Sequence, residues 1–313
     1  MATHATTDYR VGRLPSGPIE VTVHRYDGGP GPTLHVQAAQ HGIELNGPAA
    51  LRRLHDDLLT ADLAGSVVVV PVANPLALDN RSYLTPQAYD ARHPNLNRAW
   101  PGDPSGSLGQ RIAARLWDLV AEADAVVDLH TGSPDMLEHV RYLAGDDEAR
   151  RLATAFGTDY VLGDEDRDDA DETSGSTLRA AAASAGTPAV TAELGNSRSV
   201  DRAAAETGAA GVRNVLRALD VLEASVPDGQ APTLLRGGAQ HTRAEESGLF
   251  ELAPDVAVGR AVETGERLGT VYSPTSFEVR QTVTATEGGL AYSLTRGGIV
   301  VAGERLAGVA TPA

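Results

Sequence analysis

The chain of 313 residues contains no cysteine. Disulfides, zinc ribbons, iron–sulfur clusters and cysteine nucleophiles are therefore excluded, and the redox state of the compartment stays open. Lysine is absent too: all 26 basic residues are arginine. A chain without lysine forms no Schiff base and carries no Walker A loop. No Gly-x-Ser-x-Gly elbow occurs, which sets aside a serine hydrolase. Long apolar runs are also missing. The most apolar short stretch, Val67–Val70, stops at Pro71 and is far too short to span a bilayer. Residues 1–10 hold no cationic segment followed by an apolar one, so no signal peptide is expected. These absences lead us to expect a soluble, cytoplasmic protein with no membrane partner.

Positive charge is scarce overall. A net charge of -16 makes nucleic acid a poor partner, because phosphates need a basic stripe. The acidic, lysine-free surface fits a halophilic, salt-adapted host. A GC-rich genome that favours Arg and Ala codons gives the same bias, and the two causes are not exclusive. What remains is ordinary for a globular protein, with 42% hydrophobic and 22% charged residues. The length is ample for two domains.

The first two thirds alternate strand-like and helical patterns. Apolar or β-branched runs occur at 19–24, 33–39, 67–72, 125–129 and 188–192. Helical patterns lie at 48–59, 108–121, 177–185 and 203–222. Such alternation predicts an α/β sandwich around a mixed, largely parallel sheet. Pro227-Asp228-Gly229-Gln230 reads as a linker. Beyond it lie short strand-like runs with glycines and no helical period. The expected division is therefore an α/β catalytic domain over residues 1–228 and a small all-β domain over residues 229–313. Two stretches stand apart. Residues 74–107 form a long loop rich in Pro, Asn and Arg, and loops of that length are usually functional or disordered. Residues 164–172 carry seven acids in nine positions, which reads as a solvated loop rather than a cation site, because the spacing matches no EF-hand.

Several strand ends carry chemistry. His41 and Glu44 follow the run 33–39, and ligands of open α/β sheets gather at the carboxyl ends of strands. Taken alone, a His and a Glu at this spacing are more often just polar surface. The run 125–129 ends in His130, with Asp128 two residues earlier on the same strand face, placed to orient the imidazole. Together His41, Glu44 and His130 make a metal set of two imidazoles and one carboxylate. That set leaves a fourth tetrahedral position open for water, as in catalytic zinc sites. The run 188–192 ends in Glu193, a candidate general base, although an acid before a helix start is also common. In the long loop, Asn97 and Arg98 can clamp a substrate carboxylate, and Arg81 can stabilise an oxyanion. Pairing of these arginines with surface acids is the alternative, and for Arg98 taken alone it is the favoured one. Tyr272, Phe277 and Arg280 are candidates to reach the cleft from the tail.

In order, the chain shows His41-Gly-Ile-Glu44, Asn74-Pro75, Arg81, Asn95-Leu-Asn97-Arg98-Ala-Trp-Pro-Gly102, Asp128-Leu-His130-Thr-Gly132 and Glu193-Leu-Gly195. This combination resembles the succinylglutamate desuccinylase/aspartoacylase family, which is akin to zinc carboxypeptidases. The resemblance covers most of residues 33–225, and the β-rich tail is similar to that family's C-terminal domain. It implies a zinc-carboxypeptidase-like α/β/α sandwich and one Zn2+ held by His41, Glu44 and His130. It further implies Arg81 polarising the scissile carbonyl, Asn97 and Arg98 gripping a carboxylate, and Glu193 as general base. The implied reaction is hydrolysis of the N-acyl amide of a small anionic N-acyl amino acid, in a chain free to form a homo-oligomer. Two departures bear on substrate. Ile43 stands where Asp or Asn is usual, and Asn95-Leu96 stands where Asp-Leu is frequent. Asn95 resembles members that deacetylate N-acetyl-diaminobutyrate. The alternatives are a zinc carboxypeptidase acting on peptides and a non-catalytic relative that binds small acids.

Overall fold

The coordinates are a computed structural model that describes residues 2–132, 135–164, 176–227, 229–237 and 241–313. The chain starts with strands β1 (Thr3–Leu14), β2 (Gly17–Asp27) and β3 (Thr33–Ala38), then helix α1 (Asn46–Thr60) and strand β4 (Ser66–Val70). A short helix α2 (Pro75–Asp79) and a 3-10 turn (Leu96–Arg98) punctuate the long loop before α3 (Leu108–Val120). There follow β5 (Ala125–Gly132), β6 (Asp135–Met136), β7 (His139–Leu143), α4 (Asp147–Phe156) and β8 (Tyr160–Asp164). Next come α5 (Leu178–Ser184), β9 (Ala189–Asn196) and α6 (Arg202–Ala218). The rest is β10 (Thr233–Gly237), β11 (Thr242–Arg243), β12 (Gly248–Leu252), β13 (Ala261–Val262) and β14 (Arg267–Tyr272). It closes with β15 (Val279–Thr284), β16 (Gly289–Leu294), β17 (Gly298–Val300) and β18 (Arg305–Pro312).

Strands covered on both faces need side chains that tolerate burial throughout. β5 meets that demand, with every residue buried, and β4 is buried at four of its five positions. The main sheet runs β1-β2-β4-β3-β5-β9-β7-β8-β10-β18-β16-β13, with β11 and β6 paired to its side. Its centre, β4-β3-β5-β9, is parallel, and β7 then enters antiparallel to β9. Helices cover both faces. On one, Leu51, Leu54 and Leu58 of α1 join Leu152 and Phe156 of α4 and Val212 and Val215 of α6. On the other, Ile112 and Leu116 of α3 join Leu178 and Ala181 of α5. α6 packs close because it is small there: a Cβ on Gly211 would lie 2.1 Å from the Phe156 ring. The result is the expected α/β/α sandwich.

Beyond residue 229 the described segments are strands without a helix, as the glycine-punctuated pattern predicts. β10 and β18 extend the main sheet through parallel pairing of β10 with β8. Strands β15-β14-β12-β17 form a separate four-stranded sheet over its own core of Phe250, Leu268, Val271 and Val283. The acidic stretch 164–172 falls outside the described residues except for Asp164. Among the described residues no helix is long and apolar enough to cross a membrane.

Asp164 ends β8 and ties three elements together. Arg141 of β7 donates from Nη2 at 2.5 Å and from Nε at 3.1 Å, and Arg179 of α5 donates from Nη2 at 2.9 Å. Arg179 also donates from Nη1 to Thr191 of β9 at 3.1 Å. Burial alone would raise the Asp164 pKa, but the two guanidiniums outweigh it and hold it below the usual carboxylate range. A depressed carboxylate stabilises the fold above its unfolded pKa, and that contribution disappears as pH falls through the folded value. Asp164→Asn is therefore expected to cost about 3 kcal/mol near pH 7, since it strands buried cations. In urea unfolding, the gap between wild type and variant should narrow below about pH 4. A gap that stays constant down to pH about 3 contradicts this account.

Candidate metal centre and active site

The metal candidates meet where β3 and β5 end. β3 stops at Ala38, and Ala39 adopts φ 52°, a left-handed conformation that swings the chain off the strand. Gln40, His41 and Glu44 are buried in the turn that follows. Gly42 lets this turn lie on α2: a Cβ there would sit 2.1 Å from the carbonyl carbon of Ala77. β3 and β5 pair in parallel, with Ala38 beside Leu129, so His130 arrives next to the turn.

The Glu44 carboxylate joins the two imidazoles. Its Oε1 lies 2.9 Å from His41 Nδ1 and its Oε2 lies 3.0 Å from His130 Nδ1. The Thr131 backbone N–H donates to Oε2 at 3.1 Å. The donor atoms of all three side chains lie within 4.8 Å of one another. Each imidazole is held from behind. His41 Nε2 is 3.1 Å from Asn95 Oδ1, and His130 Nε2 is 2.8 Å from Asp128 Oδ2. With an ion bound, the acceptors at both Nε2 atoms would keep the ring protons there and leave each Nδ1 to ligate. Asp128 is itself fixed by Gln40 Nε2 at 2.6 Å, and Gln40 accepts from Trp100 Nε1 at 2.8 Å.

The electrostatics follow from the contacts. Burial raises the Glu44 pKa, yet His41 and His130 outweigh it and bring it to about 2. Burial lowers the His130 pKa, yet Asp128 and Glu44 outweigh it and hold it well above the ordinary value. Glu193 of β9 pairs with His130 in the parallel register and faces the same cavity. Loss of hydration pushes its pKa up, with His130 opposing and Glu44 adding to the rise. A carboxylate shifted toward neutrality can accept a proton and later return it.

A cavity of about 750 Å³ opens over this centre, lined by the three metal candidates, Glu193, Asn97 and Arg98. Asn97 has its side-chain carbonyl oxygen committed and its amide nitrogen toward His130. Its Oδ1 accepts from the Leu178 backbone N–H at 3.0 Å, and its Nδ2 stands 3.5 Å from His130 Nε2. Arg98 donates from Nη1 to the Asn97 carbonyl at 2.7 Å. Arg81 is placed differently. It is exposed, has φ 51°, and is not among the cavity-lining residues. Tyr272, Phe277 and Arg280 also lie away from the cavity; the tail reaches it instead through Ser293, Thr295, Glu304 and Arg305.

Sequence reasoning passed over several cavity residues. Tyr83 stacks on the His41 ring, with centroids 4.0 Å apart and planes 19° apart. Its hydroxyl pKa is raised by loss of hydration and by the negative charges of Glu44 and Glu193. Arg141 and Arg179 form part of the wall, and Arg198 donates its backbone N–H to Ile43 at 2.8 Å. No local pattern announces Arg141 on β7, Arg179 on α5 or Arg198 beyond β9, because their place at the cavity depends on how those elements pack. Tyr83 alone had a sequence signal, two residues after Arg81 in a loop already singled out.

Comparison with known proteins places the chain in a family. The family model for the succinylglutamate desuccinylase/aspartoacylase catalytic domain matches residues 30–219. The chain is 29% identical over 272 residues to an N-alpha-acetyl-L-2,4-diaminobutyric acid deacetylase of Halomonas elongata, covering 83% of this chain and 76% of that protein. A succinylglutamate desuccinylase/aspartoacylase structure from Rhodobacter sphaeroides superposes with a TM-score of 0.85 at 25% identity, covering 99% of this chain and 96% of that one. The product-bound ectoine utilization protein EutE (DoeB) of Ruegeria pomeroyi gives a TM-score of 0.84 at 25% identity, covering 99% and 95%. The chain belongs to the succinylglutamate desuccinylase/aspartoacylase family.

Proposed function

We propose that this protein is a zinc-dependent hydrolase that cleaves the N-acyl amide bond of a small N-acyl amino acid. The observation that carries the reading is the buried convergence of His41, Glu44 and His130, with Glu193 on the adjoining strand. The donor set fits zinc: two imidazole nitrogens and one carboxylate oxygen, three ligands with room for a fourth, each ring fixed from behind by Asn95 or Asp128. A zinc ion held there supplies a Lewis acid for the amide carbonyl and lowers the pKa of a water molecule.

The chain's own groups do the rest. Glu193 takes a proton from the attacking water and delivers it to the departing amine nitrogen. Arg98 and the Asn97 amide bind the substrate carboxylate. Arg81 is assigned to the carbonyl oxygen by family resemblance. That role requires its loop to fold inward over substrate, starting from the Tyr83 ring already stacked on His41. The cavity suits a small substrate, since β16, β18 and the loops beside them wall its far side. N-alpha-acetyl-2,4-diaminobutyrate is the first substrate to test, on the strength of the Halomonas elongata relative.

Three outcomes are expected. A panel of N-acetyl, N-succinyl and dipeptide substrates should show turnover of N-acyl amino acids; turnover of peptides alone replaces the reading with a carboxypeptidase. His41→Ala should lose zinc from this centre together with activity, measured by elemental analysis and assay; full occupancy of the centre without His41 dismisses the ligand assignment. Glu193→Ala should keep the metal and slow kcat by roughly a hundredfold or more. Near-normal kcat in that variant means that another group moves the proton.

A further inference from the structure

A second cluster of metal-ligating side chains lies outside the active site. β1 and β2 pair antiparallel with His4 opposite Tyr26 and Thr6 opposite His24, so His4 and His24 are diagonal neighbours on one face. Their rings stack, with centroids 5.4 Å apart and planes 11° apart, and His4 Nε2 lies 3.2 Å from His24 Nδ1. α1 brings His55 to the same spot, its ring 5.2 Å from that of His4 and 5.6 Å from that of His24. The donor nitrogens of the three imidazoles all lie within 4.8 Å of one another.

We propose that His4, His24 and His55 form a second metal site, which takes one zinc-type divalent transition-metal ion on three imidazoles. Two nitrogens bound to a tetrahedral zinc stand about 3.3 Å apart, given bonds of about 2.0–2.1 Å. The His4–His24 pair already has that spacing. The exposed His4 and part-exposed His55 side chains close the remainder by small rotations. The site has a built back wall as well. The buried Tyr26 places its hydroxyl 2.5 Å from His55 Nδ1. With the His55 Nδ1–H donated to the Tyr26 oxygen, Nε2 is the atom left for an ion. Imidazole-only donors suit zinc, nickel and copper rather than magnesium or calcium.

The site is independent of the catalytic reading. Tyr26 pairs with Val67, which is level with Leu34 at the start of β3, whereas His41 lies beyond the other end of that strand. An ion here would fasten the edge hairpin β1–β2 to α1.

The test is zinc stoichiometry on tag-free full-length protein equilibrated with zinc and freed of loose metal. Wild type should retain two zinc ions per chain. His4→Gln combined with His24→Gln should retain one, with turnover unchanged. His41→Ala combined with His130→Ala should also retain one, and added zinc should raise its Tm by at least about 2 °C. A further His4→Gln should abolish both that ion and that rise. A count unmoved by loss of His4 and His24 overturns the proposal and leaves a hydrogen-bonded histidine cluster, whereas a single wild-type ion that survives loss of His41 and His130 but not loss of His4 and His24 overturns the catalytic-zinc reading alone. His4→Gln alone, at an exposed edge position, decides the matter should the catalytic double variant not fold.

Discussion

A carboxylate out of contact with water is costly unless its charge is answered. Glu44 is such a group, and much of the site's construction answers it. Two imidazoles and a backbone N–H converge on its oxygens. Those imidazoles are in turn gripped by Asn95 and Asp128, and Asp128 by Gln40, which accepts from buried Trp100. The chain of contacts therefore runs from a core indole to the reactive centre, through groups that each have a partner. A divalent ion at this point would replace protons as the counter-charge.

The sheet supplies the precision. Parallel pairing of β3, β5 and β9 delivers the turn at 41–44, His130 and Glu193 at one edge, in register set by backbone hydrogen bonds. Asn46 locks this edge from the helix side. Its Nδ2 donates to the Leu194 carbonyl at 2.8 Å, and its Oδ1 accepts from the Asp201 N–H at 2.7 Å. The start of α1, the end of β9 and the start of α6 are thereby held together. Groups carried by such rigid elements keep their geometry better than groups on loops.

Much of this was legible in the sequence because the central strands are continuous apolar runs and the metal candidates follow their ends. What was not legible has physical causes. β1 carries Thr, His, Asp and Arg and is exposed along most of its length, so it shows no apolar alternation. α4 does carry sequence signals: Asp146 caps it, and Ala149, Leu152, Ala153 and Phe156 form a buried stripe. β7 and β8 are short, and the antiparallel entry of β7 beside β9 is a matter of strand order that no local pattern encodes. Arg141 and Arg179 reach the cavity through that order. Arg81 shows the opposite limit, since a motif fixes a residue type but not the loop conformation that presents it.

The continuity of the main sheet has a consequence for traffic in and out of the cavity. β8, β10, β18 and β16 are bonded edge to edge, so the tail residues on the rim share a backbone ladder with the floor. Widening the mouth on that side would mean breaking the ladder, a far steeper cost than rotating a hinge. The opposite bank is the loop that carries Tyr83 and Arg98, which is not bonded into that ladder. The bonded rim therefore holds one side of the cavity to a fixed width.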